Sequence, residues 1–234
     1  MAKKTEKKGY YTAEIIQKFK DALSAARARI AAGEIVHVSI SHGNTKTGPV
    51  ASVSLLPFAT CPAICRNTCG PLCYAAKLAN LRPSVLAAWA MNTAILMDRP
   101  AQFWEEVNAA ISAVRYFRYH VAGDIPTPAY LANMIRSAQN HPQTEILAFT
   151  KRFDFVNAAL TVAPLPANLH ILFSGWTNLK PENPHNLPET NVYSKGSAPE
   201  ESWKQCGGNC FSCACRGVGC WTACPGDTIA FEIH

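Results

Sequence analysis

Ten cysteines form two separate groups, and no cysteine lies outside them. Thiolates two to four residues apart can bind one metal ion or one iron–sulfur cluster, so the spacing predicts two metal sites without distinguishing zinc from iron. The first group consists of Cys61, Cys65, Cys69 and Cys73. The second group consists of Cys206, Cys210, Cys213, Cys215, Cys220 and Cys224.

The second group has more thiols than one site needs. Its favoured ligands are Cys206, Cys210, Cys213 and Cys220, with Cys215 and Cys224 as alternatives. A disulfide framework is the competing interpretation for both groups, and it is typical of small secreted chains. The lysine-rich start is followed by an amphipathic segment and not by the apolar stretch of a signal peptide. We therefore expect a reducing, cytoplasmic setting.

Polar residues lie where four predicted strands end or in the loops that follow. Loops at strand ends converge on one mouth in barrels and open α/β sheets, so we expect these residues to face the first cysteine group. The candidate catalytic groups are Asp124 and Lys151. The candidate cofactor-binding residues are Asn44, Lys46, Thr47, Gly123, Arg152 and Asn178. The alternative roles are helix capping for Asp124 and solvated charge for Lys151 and Arg152.

Short apolar runs alternate with helical patterns along most of the chain, which favours a parallel sheet with helical crossovers. The predicted helices are 12–32, 84–97, 101–114, 129–139 and 153–160. The predicted strands are 35–41, 117–121, 146–149, 169–173, 191–193 and 229–233. His120 lies inside the second strand and is expected to be a core residue with satisfied hydrogen bonds. About six strands are too few for a closed eight-stranded barrel.

The predicted fold is therefore α/β: an incomplete (βα) barrel or an open parallel sheet with a cysteine-rich, metal-binding C-terminal extension. We divide the chain into a basic helical segment 1–33, a core 34–200 with the first cysteine group, and a tail 201–234 with the second. No run of about eighteen apolar residues exists, so no membrane span is expected. Most of the net charge of +6 arises from the first thirty residues, which makes nucleic acid a candidate partner of the basic N-terminus.

Several segments together resemble the phage and mobile-element family called gene product 88. They are 43–49, Cys73-Tyr74-Ala75, 118–124, 149–152 and the cysteine-rich tail that ends with 229–234. More distantly, the chain is similar to radical S-adenosylmethionine enzymes of the spore photoproduct lyase type. These resemblances imply a [4Fe–4S] cluster at the mouth of a partial barrel, S-adenosylmethionine as a candidate cofactor, and an auxiliary cluster in the tail.

Radical enzymes of that class hold the cluster with three cysteines, usually separated by three and then two residues, and leave one iron open. Here Cys65, Cys69 and Cys73 are separated by three and three residues, and Cys61 offers a fourth ligand. Three functions stay open: an iron–sulfur redox or radical enzyme, which the resemblance favours, a non-catalytic electron carrier or redox sensor, and a zinc-stabilised nucleic-acid-binding protein. The expected partners are an electron donor protein and a substrate of unknown class.

Overall fold

The computed structural model describes residues 9–233, which form an α/β fold around one mixed β-sheet. In this part of the chain the helices are α1 Ala13–Ala31, α2 Tyr74–Leu81, α3 Pro83–Asp98, α4 Pro100–Ser112, α5 Pro128–Asn140, α6 Phe153–Val162 and α7 Cys210–Arg216. The strands are β1 Ile40–Ser41, β2 Ala51–Val53, β3 Tyr116–Tyr119, β4 Glu145–Thr150, β5 Leu169–Ser174, β6 Glu189–Tyr193, β7 Lys204–Gln205 and β8 Thr228–Glu232.

The sheet runs in the order β1-β2-β3-β4-β5-β6-β8-β7 and is not closed. Every neighbouring pair is parallel except β1 and β2, which are antiparallel. The predicted α/β class is therefore confirmed. The predicted strand count is wrong, because the described residues contain eight strands. The strands β2 and β7 are only three and two residues long, too short to produce a readable alternation.

The predicted strand 35–41 is also wrong over most of its length, since only Ile40–Ser41 pairs in the sheet. Side chains take the place of a neighbouring strand along the rest of it. The Val38 N–H donates to Glu106 Oε2 at 2.5 Å, and the Ser39 N–H donates to Asn92 Oδ1 at 2.7 Å. The alternation of residue types is present, but side chains of the helices accept hydrogen bonds from the backbone N–H groups of this segment.

The two faces of the sheet are covered by different parts of the chain. Alternate side chains of β4, such as Ile146 and Ala148, join the core formed with the helices. Leu147 and the β5 residue Leu172 point to the other face and pack with Trp221 of the tail. Because neighbouring residues in a strand face opposite sides, both faces of these strands are buried. The cysteine-rich tail is therefore the cover of one face of the sheet.

Helix α1 belongs to the helical core, and two of its arginines form ion pairs within the protein. Its Phe19 and Ile30 are buried in the same cluster as α3. Arg27 forms an ion pair with Asp98, and Arg29 forms one with Glu34. The lysines at positions 3, 4, 7 and 8 lie outside the described residues, so nucleic-acid binding by this arm stays a prediction. Over residues 9–233, no helix combines the length and apolar character needed to cross a membrane.

Candidate metal centres

The first cysteine group lies on the segment that leaves the carboxyl end of β2. Two short 3-10 turns, Ala63–Asn67 and Gly70–Leu72, fold this segment before α2 begins. Cys73 is the N-cap of α2, and its Sγ accepts a hydrogen bond from the Ala76 N–H at 3.4 Å. Burial has the larger effect on the pKa of Cys73 and raises it, whereas this hydrogen bond lowers it.

The four thiols of this group are successive neighbours. Hydrogen bonding with the Cys61 thiol is the largest cause that raises the pKa of Cys65. Hydrogen bonding with Cys65 is in turn the largest cause that raises the pKa of Cys69. Burial raises the pKa of Cys73, and the nearby Cys69 adds to this rise. The fold therefore brings the four predicted ligands of the first site side by side.

The end of β3 supports the cysteine segment through a close backbone approach at Gly123. This residue has a φ of 87°, and a Cβ there would lie 2.7 Å from Thr60 Oγ1 and 2.8 Å from Leu55 Cβ. Thr60 Oγ1 also accepts a hydrogen bond from the Asp124 N–H at 3.3 Å. Gly123 thus allows β3 to contact the residues just before Cys61. Contact of Gly123 with a cofactor stays a prediction.

Asp124 is buried and ties the end of β3 to the end of β4. Its Oδ1 accepts hydrogen bonds from the Thr150 hydroxyl at 2.5 Å and the Ile125 N–H at 2.7 Å, and its Oδ2 accepts one from the Lys151 N–H at 2.9 Å. Burial raises the pKa of Asp124, and these hydrogen bonds oppose the rise. The helix-capping alternative is wrong, because Thr127 caps α5.

Lys151 is a buried cation beside the first cysteine group, so its interpretation as a solvated charge is wrong. Only 8% of the residue is exposed. Its Nζ donates to the carbonyl and hydroxyl oxygens of Ser174, at 2.9 and 2.6 Å. The ammonium lies 5.7 Å from the centre of the Trp176 ring. Its charge lowers the pKa of Cys69 and Cys73, against the larger effects that raise them.

Asn178 and Arg152 have different places at this edge of the sheet. Asn178 Nδ2 donates to the Asn67 carbonyl at 3.0 Å, so Asn178 holds the cysteine segment between its second and third thiols. The Arg152 guanidinium pairs with Asp154 through two hydrogen bonds of 2.9 and 2.7 Å and lies over the Phe155 ring. Asn178 therefore contacts the candidate site, whereas Arg152 is engaged at the start of α6.

The loop 43–48 leads into the amino end of β2, and our expectation that Asn44, Lys46 and Thr47 face the first cysteine group is wrong. Asn44 Oδ1 accepts hydrogen bonds from the N–H groups of Lys46 and Thr47. The Lys46 carbonyl accepts one from the Cys210 N–H at 3.2 Å. Because β1 runs antiparallel to β2, this loop lies at the opposite edge from the carboxyl ends of β3, β4 and β5. It contacts the second cysteine group instead.

The second cysteine group surrounds the start of α7. Its four favoured ligands influence one another electrostatically: Cys206 with Cys210 and Cys213, and Cys220 with all three. Burial raises the pKa of Cys206, and it raises the pKa of Cys220 to about 12. Cys215 and Cys224 are exposed. The structure therefore brings together the four favoured thiols and leaves the two alternatives at the surface.

Arg118 was not among the predicted site residues, and it projects from β3 towards the tail. Its Nη1 donates to Cys210 Sγ at 3.5 Å, and its guanidinium lies 4.8 Å from the centre of the Phe149 ring. Its Nε is buried and has no hydrogen-bond partner among residues 9–233. The available signal was a charged residue between Phe117 and Tyr119 in a short aromatic strand.

Tyr74 was also missed, and it lies between the two cysteine groups. Its hydroxyl donates a hydrogen bond to the Val121 carbonyl. The same hydroxyl is within electrostatic reach of Cys69 and Cys73 from the first group and of Cys210 from the second. Tyr74 is therefore a residue that both cysteine groups influence electrostatically.

His120 differs from its predicted role in two respects. It lies just beyond the end of β3, in the left-handed region with a φ of 58°, instead of within a strand. It is buried, as expected, and its Nε2 is 3.0 Å from the Tyr130 hydroxyl oxygen. Its Nδ1 has no hydrogen-bond partner in the described chain, so the residue is not fully satisfied.

The side chains of both groups are of the chemical type that binds zinc or iron–sulfur clusters. All ten cysteines are free thiols. Within residues 9–233, no three or more His, Cys, Asp or Glu side chains are arranged to hold a single metal ion. A four-iron cluster makes a different demand, because each thiolate binds a separate iron and the ligands stand farther apart. The Lys151 ammonium lowers the pKa of Cys69 and Cys73, and Arg118 Nη1 donates to Cys210 Sγ, so both cations suit anionic sulfur.

One family model matches the chain. It is described as "Gene product 88" and matches residues 11–203, which include the first cysteine group and end just before the second. No match was found among curated proteins or among solved structures. Since the matched residues make up most of the chain, this protein belongs to the gene product 88 family.

Proposed function

We propose that this protein holds two iron–sulfur clusters and transfers electrons. The proposed ligands of the first cluster are Cys61, Cys65, Cys69 and Cys73, and those of the second are Cys206, Cys210, Cys213 and Cys220. When bound, such clusters accept and donate single electrons at a potential set by nearby charges and hydrogen bonds.

The buried ammonium of Lys151 beside the first group is the observation that carries the proposal. A buried cation is costly without negative charge nearby, and its two hydrogen-bond acceptors on Ser174 are neutral. The Asp124 carboxyl is one anion close enough to interact with it. Anionic thiolates at Cys69 and Cys73 would add to this negative charge, whereas neutral thiols would not. Arg118 has the same relation to Cys210 in the second group. A positive charge, buried at Lys151 and half-buried at Arg118, thus accompanies each proposed cluster.

The arrangement of the first group favours an electron-transfer centre over an open, substrate-binding one. Cys61 interacts directly with Cys65, so four thiols are available and not three. A cluster in which each of the four irons is bound by a protein thiolate has no open iron for S-adenosylmethionine. A radical enzyme that binds S-adenosylmethionine at an open iron is therefore our second candidate, supported by the buried Lys151 and Asp124 at the mouth of the sheet.

Metal analysis of protein purified without oxygen tests the main proposal. We expect a brown protein that contains iron and acid-labile sulfide, and substitution Cys69→Ala should remove about half of the iron if the two sites are independent. Cys213→Ala should remove the iron of the second cluster. Cys215 is an exposed cysteine on the same helix, and Cys215→Ala should leave the iron content unchanged. A colourless protein that carries zinc would contradict the proposal.

Substitution Cys61→Ala separates the two candidates. An electron-transfer cluster with four ligands should be lost or become oxygen-labile when Cys61 is removed. An enzyme-type cluster held by Cys65, Cys69 and Cys73 should stay assembled in the same variant, and its electron paramagnetic resonance spectrum should change on addition of S-adenosylmethionine. That second result would favour the radical enzyme.

A further inference from the structure

Exposed apolar side chains concentrate around the first cysteine group. Five large apolar residues between positions 64 and 81 are exposed, and we call them the apolar patch. They are Ile64 at 43%, Leu72 at 50%, Tyr74 at 57%, Leu78 at 39% and Leu81 at 66%. The five lie on one segment, 64–81, and exposed apolar side chains concentrated in this way are typical of interaction sites.

The apolar patch borders the proposed cluster directly. Tyr74, Leu78 and Leu81 are separated by four and three residues, so they lie on one face of α2. The same helix is capped by Cys73, a proposed ligand, and Tyr74 reaches the Val121 carbonyl at the end of β3. A molecule that covers this face would come close to the first site.

The surroundings of the patch are positively charged. Residues 35–97 contain no Asp or Glu, and the exposed Arg66, Lys77 and Arg82 lie within or beside the patch. The Tyr10 N–H donates to the Pro71 carbonyl at 2.8 Å, so the described chain begins next to the cysteine segment. The sequence attached there, 3–8, has four lysines and one glutamate. An occupant of this surface should therefore be acidic.

Three kinds of occupant are consistent with an apolar, basic surface, and the observations favour a protein. Residues 1–8 of this chain contain one large apolar side chain, Met1, which cannot cover five. Nucleic-acid interfaces are polar and use aromatic or arginine stacking, whereas three of the five residues here are leucines. An apolar centre with a charged rim is the arrangement of a protein–protein interface.

We propose that the apolar patch docks a small acidic electron-carrier protein of the ferredoxin class, which reduces the first cluster. This inference rests on the function proposed above. In the step, the reduced carrier loses one electron and returns to its oxidised form, the first cluster gains that electron, and no covalent bond changes. Opposite charges steer the two proteins together, and the apolar residues hold the complex.

The test measures binding of an acidic [2Fe–2S] ferredoxin to the iron-loaded full-length protein by isothermal titration calorimetry. Leu78→Glu and Lys77→Glu should each raise the dissociation constant about tenfold or more, the range expected for a central contact in an interface. Lys77→Glu should also reduce its dependence on salt. Stopped-flow reduction of the cluster by the same ferredoxin gives a second readout.

The matched controls carry the same changes elsewhere on the surface. Val162→Glu places an acid at an apolar position that is 87% exposed on α6, and Lys180→Glu reverses an exposed lysine. Both should bind ferredoxin within about twofold of the wild type, as expected for positions outside an interface. Iron content and the visible spectrum of each variant show whether the cluster and the fold are intact.

The outcomes separate this inference from the proposed function. If the wild-type protein contains iron but does not bind ferredoxin, or if Leu78→Glu binds it normally, the docking site is wrong and the iron–sulfur proposal stands. If the patch variants lose binding to a single-stranded oligonucleotide and not to ferredoxin, the partner is a nucleic acid and the inference is overturned. If the wild-type protein contains no iron, both proposals fail.

Discussion

Lys151 places one positive charge beside Cys69 and Cys73, at the proposed first cluster. Reduction adds a negative charge to a cluster, so a nearby cation favours the reduced state. Substitution Lys151→Met removes the charge and keeps much of the side-chain volume. We expect the reduction potential to fall by about 50 mV or more, close to a tenfold change in the equilibrium of a one-electron couple.

A redox titration monitored by electron paramagnetic resonance measures this change. The control, Lys151→Arg, keeps the charge and should have a potential close to the wild-type value. An unchanged potential in Lys151→Met, in protein with its full iron content, would show that Lys151 is remote from the cluster.

His120 gives the fold a predictable dependence on pH. Burial, aided by the charge of Arg118, lowers its pKa to about 3 in the folded protein. The unfolded chain takes up this proton near pH 6.5, so stability that is present above this pH is lost as the pH falls towards 3. Between pH 7 and 4.5 the loss from this residue should be roughly 2 kcal/mol.

Substitution His120→Asn should remove that part of the pH dependence, because Asn does not titrate and tolerates the positive φ of this position. Urea unfolding at pH 7 and pH 4.5, with both proteins in the same metal state, measures the difference. His185→Asn changes an exposed histidine and serves as the control. An equal loss of stability in His120→Asn and wild type would exclude His120 as the source.

At the scale of elements, the contact between β3 and the cysteine segment depends on Gly123. Substitution Gly123→Ala adds a Cβ within 2.8 Å of Leu55 and Thr60 atoms at a φ of 87°. We expect a loss of about 2–4 kcal/mol in the free energy of unfolding, from overpacking and backbone strain together. The iron content should fall as well, because Thr60, one of the two displaced residues, immediately precedes Cys61.

The matched control is Gly196→Ala, where φ is 79° and no atom lies within 4 Å of the new Cβ. It carries the cost of the positive φ alone, roughly 1 kcal/mol. Urea unfolding of the two variants therefore isolates the contribution of the contact. If both lose the same stability and keep their iron, Gly123 supplies only its backbone conformation.

Long helices with a regular apolar period were predictable from sequence. Very short strands were not, and neither was a segment whose backbone N–H groups donate to side chains. The predicted helices 84–97 and 101–114 match Pro83–Asp98 and Pro100–Ser112 closely, because Pro100 at a helix start and continuous apolar spacing are local signals. The strand expected at 35–41 has the right alternation, but Glu106 and Asn92 accept its N–H groups. That competition involves residues more than fifty positions away and has no local signature.

The candidate site shows the same limit. Asp124, Lys151 and Asn178 were found because parallel strands place their carboxyl ends together, and the order of the strands preserves that rule. The loop containing Asn44 was misplaced because a single antiparallel pair reverses the edge at which it lies. Arg118 was missed because sequence does not show which part of the chain covers its face of the sheet.

The whole molecule is a sheet with helices on one face and the cysteine-rich tail on the other. The tail supplies little regular structure of its own: α7 is seven residues long and β7 is two. Helices of this length are not stable alone. The tail is held by Trp221, which packs in the cluster with Leu147 and Leu172, and by hydrogen bonds that the N–H groups of Cys210 and Phe211 donate to carbonyls of the loop 43–48. Bound metal at the second group would add the remaining constraint.

Removal of metal should therefore loosen the tail before the rest of the molecule. Metal binding contributes folding energy directly when the ligands are not held by other structure. After treatment with a chelator under reducing conditions, we expect limited proteolysis to cut first between Cys206 and Cys224. Loosening of the tail should also uncover Leu147 and Leu172, which are buried in the folded protein, and allow a hydrophobic dye to bind there. Mass spectrometry of the fragments locates the cut. Cys213→Ser should show the same cut without a chelator, and Cys215→Ser should not. First cleavage in the helical half, with the tail resistant, would mean that packing alone holds the tail and that the second cysteine group does not need metal.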